Sequence, residues 1–154
     1  MDALIVQPGP GMVGSTIAGC SKGFSVHDAY FHTRFRCPDA GIAWPDRFVI
    51  LSAQATTGEH WSEAENEAAD RQLEMALGER DCWYCRMTGY SPDTGHAEPG
   101  WAAELSAEAG LELGRTFLQD AIYLVEDGEL WALDCDSPII REYVGPFAER
   151  LDRD

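Results

Sequence analysis

The dipeptide Asp127-Gly128 stands between two apolar runs, AIYLVE at 121–126 and LWALDC at 130–135. A two-residue hairpin loop needs positive φ at both positions, which Asp followed by Gly accepts at little steric cost. The pairing therefore makes two consecutive segments antiparallel neighbours. A doubly wound parallel sheet, which needs a crossover helix between successive strands, is set aside by the same dipeptide. A third run, RFVILSA at 47–53, is apolar without alternation and rich in β-branched residues. Such a strand is covered on both faces, so it belongs near the middle of the sheet.

Helices fall between the strand pairs. Ser62 and Glu65 form a capping box, Ala69, Leu73, Ala76 and Leu77 make an inward stripe, and Gly78 stands ready to end the helix. DCWYCRM then alternates as a strand, Thr88 to Gly100 reads as a long turn-rich loop, and WAAEL as a further strand. Ser106 caps a second helix to about Leu118, with Ala109, Leu113 and Phe117 on one face and Gly110 and Gly114 allowing close approach to a sheet. After the hairpin, Ser137-Pro138 begins a third helix through about Val144, broken by Gly145-Pro146. The order is ββαββαββα. That pattern describes a single-domain α+β sandwich over 27–154, a mixed or mainly antiparallel sheet with helices packed on it, behind an irregular N-terminal arm at 1–26.

Charge and cysteine narrow the function. The 154 residues are 45% hydrophobic, and 27 Asp and Glu against 11 Lys and Arg give a formal net charge of −16. Phosphate backbones and anionic membrane surfaces repel such a chain, which excludes nucleic acid and membrane as partners. Five cysteines, an odd number at irregular spacing, point to reduced thiols and a cytoplasmic protein. The IAGC box ending at Cys20 lacks a basic, continuous apolar segment before it and is not read as a lipidation signal. Cys82 and Cys85 lie three apart on a strand, so their sulfurs point to opposite faces and hold neither zinc nor a disulfide. No metal set and no cofactor loop is present in the sequence; no cofactor is expected.

The second helix ends in an unusual way. Its C-terminus carries partial negative charge, yet Asp120 follows without a glycine and immediately before an apolar strand. A carboxylate there calls for a cation, which Arg115 or Arg71 would supply as a charged anchor between helix and sheet. Glu108, Glu112, Arg115 and Gln119 share one face of that helix, and His96 shares the long loop with Asp93 and Glu98.

Four pieces, FVILSA, SEAEN, SPDTGHAEP and above all LGRTFLQDAIY, resemble a family of small bacterial proteins known as domain of unknown function 3293. The resemblance covers about residues 28–135. It implies a single α+β domain, directs attention to Asn66, Glu98, Arg115, Gln119 and Asp120, and brings no known reaction. Two functions are compatible with these residues. One is an acidic binding or regulatory domain without catalytic activity, serving an unknown protein partner or a small polar ligand. The alternative is a small enzyme or polar-ligand-binding protein with a cleft near those five residues, Arg115 gripping an anionic or carbonyl oxygen and a carboxylate managing protons.

Overall fold

The described residues form one curled, mixed sheet with two α-helices on its outer face. The computed structural model describes residues 28–39, 41–54, 61–137 and 139–152. The N-terminal arm, with its Ile17–Cys20 box, lies outside them. In chain order the strands are β1 (Arg34–Arg36), β2 (Arg47–Ser52), β3 (Tyr84–Tyr90), β4 (Ala97–Ala103), β5 (Ala121–Glu126), β6 (Glu129–Asp134), β7 (Arg141–Pro146) and β8 (Leu151–Asp152). Helix α1 (Glu63–Glu79) joins β2 to β3, and α2 (Ala107–Thr116) joins β4 to β5. The strand order is β8-β1-β3-β4-β2-β5-β6-β7. Only the β8–β1 pair is parallel; the other pairs are antiparallel.

Apolar alternation assigns the two faces. Phe48 and Ile50 of β2 join Ala121, Tyr123, Met87, Phe35 and Phe147 in an inner cluster. Val49 and Leu51 join Leu73, Leu77, Leu111, Leu113, Ile122 and Leu124 under the helices. The inner cluster has no helix layer of its own among the described elements. The sheet covers it by curling, aided by short 3-10 turns at Asp28–Phe31 and Phe147–Glu149. This architecture has the expected α+β class and a mixed sheet, and that sheet folds over its own concave side.

Three local readings need correction. The third helix expected from Ser137-Pro138 is strand β7, in which exposure alternates from Arg141 to Val144 as β6 pairs along it. The element order therefore ends in strands. The loop expected from Thr88 to Gly100 is mostly a hairpin, with β3 reaching Tyr90 and β4 starting at Ala97. Pro99 is tolerated because the β2–β4 ladder runs only from Val49↔Ala103 to Ser52↔Gly100, so its missing N–H falls just past the end of β2. Finally, α1 runs through Gly78, and Asp81 with φ 55° takes the left-handed position beyond it.

The helices are held differently. On α1, Ser62 and Glu65 make the expected capping box. Its Asp70 accepts both arms of Arg86 from β3, at 2.9 and 2.8 Å, and the indole N–H of Trp101 at 3.0 Å. On α2 the contact is steric: a Cβ on Gly110 would lie 2.8 Å from Val49 Cγ1, and one on Gly114 2.8 Å from Cys135 Sγ. Glycine at both positions lets the helix axis settle onto β2 and β5.

Candidate functional site

The end of α2 explains how a polar group reaches the concave side. Leu118, with φ 62°, occupies the left-handed position that glycine ordinarily fills. The Leu118 N–H donates to Arg115 O at 3.1 Å and the Gln119 N–H to Gly114 O at 2.8 Å, the paired bonds of a Schellman ending. Gln119 is thereby turned inward, and its side-chain amide donates to Phe117 O at 3.0 Å and Gln54 O at 2.9 Å. Both amide hydrogens are used, which fixes Oε1 as the group left to accept.

The acid at this junction is not anchored by arginine. Arg115 donates to Cys135 O at 3.0 Å, and among the described residues no ion pair joins it, or Arg71, to Asp120. Burial, reinforced by the nearby Asp136 and Asp134, pushes the Asp120 carboxyl up to about 6. The carboxylate thus stays mostly charged at pH 7 without an arginine partner, and takes up its proton on mild acidification.

Gln119 Oε1 meets two side chains brought by other strands. Ser52, at the end of β2, continues the stripe of Phe48 and Ile50, and its hydroxyl lies 3.4 Å from Gln119 Oε1 and 3.5 Å from Glu98 Oε1. Glu98, on β4, is 3% exposed, and its Oε2 lies 3.1 Å from His96 Nε2. Burial pushes the Glu98 carboxyl up to about 10 and moves the half-exposed His96 below its usual value. At neutral pH the acid keeps its proton and the imidazole is neutral, so their contact is a neutral hydrogen bond in the place of a salt bridge.

Ser52, Glu98 and Gln119 line one small cavity on the concave side, with Tyr30, Tyr123, Met87 and Ala121 among its walls. Its volume of about 20 Å³ accommodates a group the size of one water molecule. The Tyr123 hydroxyl is committed to Tyr30 O at 3.0 Å. The Ser52 hydroxyl either donates or accepts, the protonated Glu98 carboxyl carries one O–H, and Gln119 Oε1 only accepts.

Of the five residues expected from the sequence, Glu98 and Gln119 come together here. Asn66 stands on the first turns of α1, a helix of the outer face, while Arg115 and Asp120 stand beside Cys135; none of the three lines the cavity. Ser52, Tyr30 and Tyr123 were not singled out by sequence. Ser52 carries one readable signal: it is the polar residue that closes an otherwise apolar two-residue period on β2. The two tyrosines carry none, since their meeting depends on how the sheet curls.

The remaining chemistry-bearing groups are dispersed. Cys82 packs with the helix-side cluster and Cys85 with the concave one, so the two sulfurs diverge as their spacing requires. Among the described residues no group of His, Cys, Asp and Glu is arranged to hold a metal ion, and no helix is long and apolar enough to cross a membrane. No curated protein and no solved structure matches the chain. A family model does match, over residues 52–122, and its description is protein of unknown function (DUF3293). The match takes in the segment from the end of β2 into β5, which carries Ser52, His96, Glu98 and Gln119.

Proposed function

We propose that this protein is a binding or regulatory domain whose concave cavity takes the hydrogen-bond-donating head of a small polar ligand, an amine or hydroxyl group. The observation that carries the reading is the convergence of Ser52, Glu98 and Gln119, from three separate elements, on one cavity into which Gln119 Oε1 is left to accept. The cavity admits a head group only, so the rest of the ligand lies outside, toward the half-exposed His96. A ligand carrying N–H or O–H completes Gln119 Oε1, whereas a carboxylate or phosphate finds no cationic side chain among the described lining residues to offset its charge. Binding, not turnover, is favoured because the Ser52 hydroxyl faces a carboxyl and an amide oxygen and has no general base in position to activate it.

The test is a thermal-shift screen of simple amines, polyols, nucleosides and carboxylates at pH 7. A ligand at a hundred times its Kd adds about 2.7 kcal/mol of apparent stability. The expected responders are amines or hydroxyl compounds, with the response lost in Gln119→Leu and Ser52→Ala. A response confined to anions, or one that survives both substitutions, overturns this reading.

A second observation favours a protein partner. An outer cleft of about 370 Å³ is lined by Asp46, Glu104, Glu126 and Asp127 with Arg47, and it suits a basic segment. Silence across the small-molecule screen together with salt-sensitive capture of a basic peptide would move the proposal there. The net charge argues against nucleic acid and membrane surfaces in either case, and the unpaired Cys37, Cys82, Cys85 and Cys135 support a reducing, cytoplasmic setting.

A further inference from the structure

Two thiols at the short edge of the sheet are placed to react with one another. Cys37 directly follows β1, and Cys85 is the second residue of β3. Continuing the register Arg36↔Thr88 sets Cys37 opposite Met87 and one diagonal away from Cys85, on the concave face. Both side chains pack against the inner cluster alongside Trp44 and Trp83. Cys37 lies near enough to add to burial in raising the Cys85 thiol, Cys37 itself donates to Asp39 O at 3.6 Å, and both residues are half-exposed. Disulfide formation needs Cα atoms within about 7 Å, and Cys37 lies beyond the last paired residue of β1, followed by exposed Pro38 and Asp39, so its backbone is free to make the small adjustment. The other described cysteines are differently occupied: Cys82 donates to Leu77 O at 3.7 Å, and Cys135 is buried under Gly114.

We propose that Cys37 and Cys85 form a reversible dithiol–disulfide site, oxidised by a peroxide and reduced by a small thiol. Cys37, beside the exposed segment, attacks one peroxide oxygen as the thiolate; the O–O bond breaks, hydroxide leaves, and sulfur becomes a sulfenic acid. Cys85 then attacks that sulfur, the S–O bond breaks, and the oxygen leaves as water with the Cys85 proton. Both sulfurs are oxidised by one electron each and the peroxide is reduced to two waters. Burial pushes the Cys85 thiol up to about 12, which leaves Cys37 as the sulfur that meets the oxidant first; Cys85 gives up its proton to the departing oxygen as it attacks. The new bond ties β1 to β3. It thereby fixes the strand whose Arg34 holds Asp152 at 2.8 Å on the neighbouring β8.

The experiment exposes the full chain to hydrogen peroxide, blocks remaining thiols by alkylation, and reads intact mass and a peptide map. The expected result is a loss of about 2 Da before alkylation, reversed by dithiothreitol, with one cross-linked peptide pair containing Cys37 and Cys85. Cys82 and Cys135 should be recovered as alkylated thiols. Cys37→Ser and Cys85→Ser should each abolish the mass loss, and Cys82→Ser should leave it unchanged. The map of the unsubstituted chain decides the question even where a serine variant fails to fold. A disulfide to any other cysteine, or oxygen addition at Cys37 and Cys85 without a cross-link, overturns the proposal.

Discussion

Two carboxyl groups on opposite faces of the same sheet are treated in opposite ways. On the helix face, the Asp70 side chain is 13% exposed and fully engaged: Arg86 grips both oxygens, and the guanidinium of that arginine lies 3.9 Å from the Trp101 ring centroid. On the concave face, Glu98 is more deeply buried and is met by a neutral histidine and a hydroxyl. A paired charge and a suppressed charge both survive burial, but they serve different ends. The first locks a helix to the sheet at fixed geometry. The second keeps a protonated acid at a cavity wall, where a structural salt bridge would have filled the space.

The sharpest way to break this contrast is Arg86→Met. It leaves Asp70 with the indole N–H of Trp101 but without its cation, and it should lower stability by about 3 kcal/mol, less than for a fully buried pair because Arg86 is one-third exposed. Asp70→Asn combined with Arg86→Met should recover part of that loss. Additive effects in urea unfolding would show that the pair is not coupled.

The next effect is one of pH. Folded Glu98 keeps its proton to about pH 10, while the unfolded chain releases it near 4.5. Folding therefore takes up a proton between those values. Its contribution is complete below pH 4.5 and declines as pH rises through that window. Asp120 acts with the same sign but is finished by about pH 6. Between pH 6.5 and 8 the protein should thus lose about 2 kcal/mol, at about 1.4 kcal/mol per unit, and Glu98→Gln should flatten that slope. Parallel profiles for the two proteins would show that Glu98 is ionised in the folded state.

The smallest effect sharpens the comparison at the junction that delivers Gln119. Leu118 is 62% exposed and holds φ 62°, so its side chain contributes little packing while its backbone is strained. Leu118→Gly should raise the denaturation midpoint, corresponding to about 1 kcal/mol. A lowered midpoint would show that the leucine side chain matters more than its backbone.

Much of the frame was readable from the chain. Ser62–Glu65, the central run at 47–53 and the Asp127-Gly128 turn, with φ of 52° and 84°, each fix structure through local chemistry, and each is found where the residues placed it. The segment 139–146 misleads because an edge strand exposes polar residues on both faces, so Arg141, Glu142 and Tyr143 carry no apolar alternation strong enough to outweigh a Ser-Pro start. Thr88 to Gly100 misleads through composition: Pro and Gly suggest a loop, and only the length of the neighbouring strand shows that Pro99 escapes the ladder. Glu98 and Gln119 were legible through the family resemblance, and Glu98 also through its place beside His96. Their meeting with Ser52, Tyr30 and Tyr123 was not, since those residues are brought together by strand order, which local sequence does not encode.

That strand order also sets a timetable. β8 follows β7 after the single turn at Phe147–Glu149, yet it pairs at the opposite end of the sheet, with Leu151 beside Phe35 and Asp152 beside Arg36. During synthesis the hairpins β3–β4 and β5–β6 can form as they emerge, while β1 must wait with one flank unpaired until residue 152 has left the ribosome. The wall that closes over Phe35 and Tyr123 is therefore the last to be laid, and a nascent chain stalled before it exposes the aromatic lining of its concave side to whatever chaperone or neighbouring chain is at hand.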